Sequence, residues 1–143
     1  KNLYSMIIGA SEGLCSAEAT KDIKNKNYLN TAASLMYKSI SEMVYFTKAL
    51  KGKEETVYGL AGLGDLYVSS AGGRNSKMGK YLGEGHLYSK AKKQFMQNDT
   101  IEGAELALEI GSKIIKEFNK KDLPLMIDLL DSIINDKKFK INW

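Results

Sequence analysis

Proline occurs once in the 143 residues, at Pro124. A chain with so few breakers can run long helices, because proline removes an intrahelical donor and its ring clashes with the preceding turn. The apolar residues use that freedom. Leu29, Ala32, Met36, Ile40, Met43 and Leu50 fall on one helical stripe, widened by Ala33, Tyr37 and Val44. Ala104, Ala107, Ile114, Ile115 and Phe118 form a second stripe. Leu125, Met126, Leu129, Leu130, Ile133 and Ile134 form a third. This spacing marks amphipathic helices, and no run alternates with period two. Pro124 stands just ahead of the third stripe, at a first helical turn that tolerates it. The pattern predicts an all-α multi-helix bundle with helices over 2–20, 28–51, 54–60, 63–70, 74–83, 87–97, 101–118 and 124–136. One domain covers residues 1–143, with no Pro-, Gly- or Ser-rich linker to divide it.

Charge and cysteine content exclude several functions. The net charge of +4 comes almost wholly from lysines interspersed with acids. That makes a solvated surface rather than a nucleic-acid face. Cys15 is the only cysteine and His86 the only histidine, so neither an internal disulfide nor a Cys/His metal site is expected. The apolar stretch 2–10 is too short to span a membrane, and no signal-peptide pattern precedes it. The cytoplasm is the expected compartment. Because the first residue is Lys1 rather than Met, the chain reads as a fragment or a processed product.

Two glycine clusters interrupt the helical pattern. One is Gly59-Leu60-Ala61-Gly62-Leu63-Gly64-Asp65-Leu66, the other Ala71-Gly72-Gly73-Arg74-Asn75. Each glycine weakens a helix by about 1 kcal/mol relative to alanine. Their density therefore marks tight turns or a backbone that approaches something closely. Arg74 is the only arginine among 21 basic residues. Its planar fork binds phosphate or carboxylate in a way lysine does not copy. It also stands at the predicted start of a helix, where free N–H groups favour anions. The run 72–75 thus reads as an anion site, with a surface ion pair as the alternative. Asp65 either caps a helix beginning near Leu66 or holds a lysine or a hydroxyl, and spacing leaves both open.

Lys1-Asn2, the run 59–66, Gly73-Arg74-Asn75 and Glu102-Gly103 follow one another in an order and spacing similar to the C-terminal domain of NAD(P)-dependent glycerol-3-phosphate dehydrogenases. The resemblance covers nearly the whole chain. It implies a helical fold like the C-terminal domain of 6-phosphogluconate dehydrogenase. The implied reaction interconverts sn-glycerol 3-phosphate and dihydroxyacetone phosphate with NAD or NADP, the cofactor being held mostly by an N-terminal Rossmann-type domain absent from this chain. Lys1 would exchange a proton with the C2 oxygen, oriented by Asp65, with Asn2 beside it. Lys1, Asn2, Asp65, Ser69, Gly73, Arg74 and Asn75 would contact the phosphorylated substrate, with Arg74, Asn75 and the Gly73 backbone on its phosphate. Arg74, Thr100 and Glu102 would touch the cofactor. A homodimer is a further implication.

The sequence departs from the family in three places. Tyr28-Leu29-Asn30 replaces the usual Gly-Asp-Asn, the stretch 16–27 is Lys-rich, and the link from Ser69 to Arg74 is short. Two rival readings stand beside the resemblance. One is the helical domain of a related 2-hydroxyacid or sugar-acid dehydrogenase, whose carboxylate would occupy the Arg74 site. The other is a non-enzymatic helical binding module, which steeply salt-dependent nucleic-acid binding would support.

Overall fold

The computed structural model describes residues 1–18 and 28–141. Among them are eight α-helices, one π turn and no strand. The helices are α1 (Asn2–Glu18), α2 (Tyr28–Ala49), α3 (Glu54–Tyr58), α4 (Asp65–Ser70), α5 (Arg74–Gly83), α6 (Tyr88–Phe95), α7 (Glu102–Glu117) and α8 (Pro124–Ile134); the π turn covers Leu60–Gly64. Each predicted helix has its counterpart. The stretch 63–70 begins inside the π turn and continues as α4. The last two residues of the first predicted helix, and most of the Lys-rich stretch 16–27, lie outside the described residues. No helix among the described residues is long and apolar enough to cross a membrane.

Buried side chains surround α1: Leu3, Tyr4, Met6, Ile7, Ile8 and Ala10 are all in the core. A helix apolar on every side belongs at the centre of a bundle. Its partner α5 approaches it backbone to backbone. A Cβ on Gly79 would stand 1.8 Å from the Met6 carbonyl oxygen, and one on Gly83 2.2 Å from that of Ala10. From the other side, Gly9 would meet the Ser76 oxygen at 2.2 Å and Gly13 the Lys80 oxygen at 2.0 Å. Two glycine pairs spaced i, i+4 interlock, and any side chain there would push the helices apart. Both sets of contacts advance in the same direction along the two helices, so α1 and α5 are parallel and their N-terminal ends lie together. The Lys80–Glu12 ion pair, at 2.6 Å, crosses the same seam.

The stripe predicted on α2 is correct at its centre and wrong at its flanks. Ala32, Met36, Ile40 and Met43 pack against the core, but Leu29, Tyr37 and Leu50 are exposed. The buried face instead carries Leu35, Ser39 and Glu42. Two of those three are polar, so an apolar stripe places the axis to one side. The other two stripes hold. Ala104, Ala107 and Ile114 of α7 are buried, as are Leu125, Met126, Leu129, Leu130 and Ile133 of α8. Gly111 lets α7 lie close to Leu130 and Ile134 of α8.

Three helices follow large aliphatic residues that cannot cap them. Leu87, Ile101 and Leu123 precede α6, α7 and α8, and none carries an oxygen for the free N–H groups of a first turn. Side chains from elsewhere supply it. At α6, Asp136 accepts from Ser89 N at 2.9 Å and from Ser89 Oγ at 2.6 Å. At α8, Glu42 accepts from Leu125 N at 2.9 Å and Met126 N at 3.0 Å. The Tyr4 hydroxyl donates to the same carboxylate at 3.2 Å. Glu42 is only 1% exposed. Burial pushes its carboxyl above the usual range, opposed by the two backbone donors and Tyr4.

Candidate active site

The glycine-rich run 59–66 forms a π turn because its backbone has to pass close to α3. A Cβ on Gly62 would lie 2.1 Å from the Val57 carbonyl oxygen. The turn closes with Gly64 N donating to Gly59 O at 3.2 Å. Insertions of this kind recur at functional sites. Here it delivers Asp65 as the first residue of α4. The Asp65 side chain does not cap that helix. Its carboxylate pairs with Lys1 Nζ through one oxygen and accepts from Ser69 Oγ at 3.3 Å through the other. Of the two roles open in the sequence, the structure has the lysine partner. The Lys1 donor holds the Asp65 carboxyl below its ordinary range against slight desolvation, with Ser69 assisting. The ammonium is 40% exposed and the carboxylate 36%. A pair this open adds little to stability, so its consequence is orientation.

Lys1 and Asn2 sit at the start of α1, and the parallel packing brings α5 to the same end. Gly73 precedes α5 and accepts from Lys77 N at 2.9 Å. Its own N–H is given to the Ser69 oxygen at 3.3 Å. The unbonded donors at this end are therefore those of the first turn of α5 itself. Arg74 follows with its guanidinium more than half exposed. Asn75 is buried, and its Oδ1 accepts from Gly103 N at 2.9 Å. Asn75 is thus the missing cap of α7, reaching across from α5. Ser76 Oγ donates to the Ser70 oxygen at 2.9 Å, tying α4 to α5.

The N-terminus of α7 completes the group. Glu102 accepts from Asn2 Nδ2 through Oε2 at 2.8 Å, and its Oε1 lies 3.8 Å from Arg74 Nη2. Gly103 allows the approach, since a Cβ there would meet Asn75 Oδ1 at 2.9 Å and the Asn2 oxygen at 3.0 Å. Thr100 is exposed in the turn before α7 and makes no hydrogen bond to the others. Lys1, Asp65 and Ser69 thus form one group of contacts and Asn2, Glu102 and Arg74 another, with Asn75 held to Gly103 beside Glu102. The N-terminal turns of α1, α5 and α7 converge on them, each with the partial positive charge of a helix N-terminus, although at α7 the Gly103 N–H is already taken by Asn75. The chemistry available is a carboxylate-oriented ammonium beside an anion-binding corner. No group of residues that could hold a metal ion occurs among those described.

Sequence reasoning missed the parts that position these residues. The Gly9/Gly13 and Gly79/Gly83 pairs were visible as isolated glycines inside predicted helices, which usually have a packing reason. The role of Gly103 as donor to Asn75 carried no local signal.

The sequence is similar to those of known proteins over nearly its whole length. Residues 1–141 match the family described as NAD-dependent glycerol-3-phosphate dehydrogenase C-terminus. An NADP(+)-dependent glycerol-3-phosphate dehydrogenase of Archaeoglobus fulgidus is 34% identical over 119 residues, which is 80% of this chain and 34% of that protein. A glycerol-3-phosphate dehydrogenase [NAD(P)+] of Clostridium botulinum, strain Eklund 17B, is 32% identical over 155 residues, covering 99% of this chain and 43% of that protein. One from Agathobacter rectalis is 29% identical over 152 residues, covering 98% and 42%. The chain thus spans less than half the length of these relatives.

Proposed function

This chain belongs to the family of NAD-dependent glycerol-3-phosphate dehydrogenase C-terminal domains, and from that premise we propose that it is the substrate-binding half of an oxidoreductase interconverting sn-glycerol 3-phosphate and dihydroxyacetone phosphate. The observation that carries the proposal is the Lys1–Asp65 pair standing where the first turns of α1, α5 and α7 meet around Arg74. A phosphorylated three-carbon substrate asks for an anion site and, a short distance away, a proton donor for a carbonyl oxygen. This corner offers both.

In the reducing direction the Lys1 ammonium donates its proton to the C2 oxygen as the new C–H bond forms. In the oxidising direction the neutral amine takes that proton back. The Asp65 carboxylate aims the ammonium, and Ser69 fixes Asp65 through its second oxygen. A positioned acid or base of this kind contributes on the order of 10²–10⁴-fold. The positive charge also stabilises the alkoxide as it develops. Arg74 presents its fork to the phosphate, backed by the first-turn N–H groups of α5. The Nδ2 of Asn75 donates to no other described residue and is free for a phosphate oxygen.

Bound NAD(P) supplies the hydride to C2, or accepts it in reverse. The residues here fit one edge of such a cofactor. Glu102 is more than half exposed, and a carboxylate suits the hydroxyl and carboxamide donors of a nucleotide rather than its pyrophosphate. Arg74, Glu102 and neighbouring Thr100 would hold that edge, and a Rossmann-type domain outside this chain would hold the remainder.

The test is the NAD(P)H-dependent reduction of dihydroxyacetone phosphate by the full-length enzyme. Lys1→Ala is expected to lower kcat by on the order of 10²-fold or more without unfolding the protein. Arg74→Lys is expected to raise KM for the phosphorylated substrate more than it lowers kcat, because charge is kept and the bidentate fork is lost. Near-normal kinetics in both variants would overturn the proposal.

A further inference from the structure

We infer that Glu102 is a built-in counter-anion of the phosphate site, a specificity-determining residue that the incoming phosphoryl group has to displace from Arg74. The inference rests on the substrate assignment above and concerns a role distinct from the cofactor contact proposed there. Its basis is the pair of groups that Glu102 joins. One carboxylate oxygen takes the Asn2 amide at 2.8 Å, and the other faces the Arg74 guanidinium at 3.8 Å. An amide NH₂ and a guanidinium are the donors that a phosphate oxygen would seek in this corner. Glu102 is also the first residue of α7, where a carboxylate is favoured by the helix's positive end. The protein's own side chain therefore bridges two donors assigned to the ligand.

This arrangement selects by charge. A monoanionic carboxylate ligand would replace one carboxylate by another and gain little. A phosphate close to dianionic brings more charge and more acceptor oxygens to the same fork. An uncharged triose has nothing with which to displace Glu102. The hold on Arg74 is suited to yielding, because 3.8 Å is long for such a pair and both side chains are more than half exposed. Substrate that takes Arg74 also frees one Glu102 oxygen at the edge where the cofactor is proposed to lie.

The test is the inhibition constant of inorganic phosphate, measured against dihydroxyacetone phosphate at saturating NAD(P)H in the full-length enzyme. Removing the counter-anion with Glu102→Gln should tighten phosphate binding by about two- to fivefold, the range expected from an exposed ion pair. Glu102→Ala should do the same, which covers a Gln variant that folds poorly. A second expectation is that discrimination between inorganic phosphate and a monocarboxylate such as acetate narrows in both variants. Phosphate binding that is unchanged or weaker in both, with only KM for NAD(P)H raised, would overturn the inference and leave Glu102 a cofactor contact alone. Wild-type enzyme that phosphate does not inhibit would overturn the Arg74 assignment itself, and this inference with it.

Discussion

The first turns of α7 and α8 share one defect and repair it with different chemistry. Each follows a large aliphatic residue, Ile101 or Leu123, that cannot accept from the helix's free N–H groups. Each borrows an acceptor from another helix. At α8, in the core, the acceptor is the Glu42 carboxylate, which uses both oxygens on two backbone donors and takes a third from Tyr4. At α7, at the candidate site, it is the neutral amide of Asn75, which takes a single donor. The cap at α6, away from the site, is again a carboxylate, Asp136. A carboxylate cap adds a negative charge at the helix end, and an amide satisfies the N–H group without adding one. At α7 the first turn already carries Glu102 and Glu105, and the amide cap adds no further negative charge where the proposed function needs an anion to bind.

The largest effect expected from this contrast is at Glu42. Glu42→Ala leaves two buried backbone donors and the Tyr4 hydroxyl without partners, and should destabilise the fold by about 3 kcal/mol. Denaturant titration monitored by circular dichroism checks this. A loss below about 1 kcal/mol would mean that water reaches the α8 terminus and that the comparison with α7 has no force.

A smaller effect separates the two carboxylate caps by the sign of their pH dependence. Burial raises the Glu42 carboxyl in the folded state. Its contribution to stability is thus fully present below the unfolded carboxyl range and is lost as pH rises through the folded value. The Ser89 hydroxyl and then the Ser89 backbone N–H lower the Asp136 carboxyl. Its contribution is present above the unfolded value and is lost as pH falls through the lower, folded one. The stability difference between wild type and Glu42→Gln should therefore shrink with rising pH through the acid range. The difference between wild type and Asp136→Asn should grow. Unfolding free energies measured across the acid range would show it; parallel slopes would remove the distinction between a buried and an open cap.

The sequence announced some of these features and concealed others. Helical periodicity located the elements, because α7 and α8 bury faces that are apolar but for Ser132. It misplaced the axis of α2 because Ser39 and Glu42 occupy that buried face, and a polar residue there is legible only with its partners Leu125, Met126 and Tyr4 in view. The glycine runs and the lone Arg74 marked the candidate site, since both residue types are out of character for a lysine-rich helical chain. The seam between α1 and α5 stayed hidden. Gly9, Gly13, Gly79 and Gly83 each read singly as a weak point in a helix, and only together do they bring Lys1 and Arg74 to one end. Asn75 read as a ligand contact, whereas half of its amide serves α7. That depends on Gly103, 28 positions away, which no local pattern connects to it.

The most direct test pairs Asn75→Asp with Asn75→Ala in the full-length enzyme and measures two quantities on each, the unfolding free energy and the inhibition constant of inorganic phosphate. Asp keeps an oxygen for Gly103 and adds a charge at the α7 terminus; Ala removes the cap. Asn75→Asp is predicted to match wild-type stability while Asn75→Ala loses about 1 kcal/mol. Phosphate binding is predicted to weaken most in the Asp variant, by on the order of tenfold, from a like charge held close to the anion. An Asp variant that binds phosphate as well as wild type would contradict the claim that a neutral cap keeps this corner open to an anion.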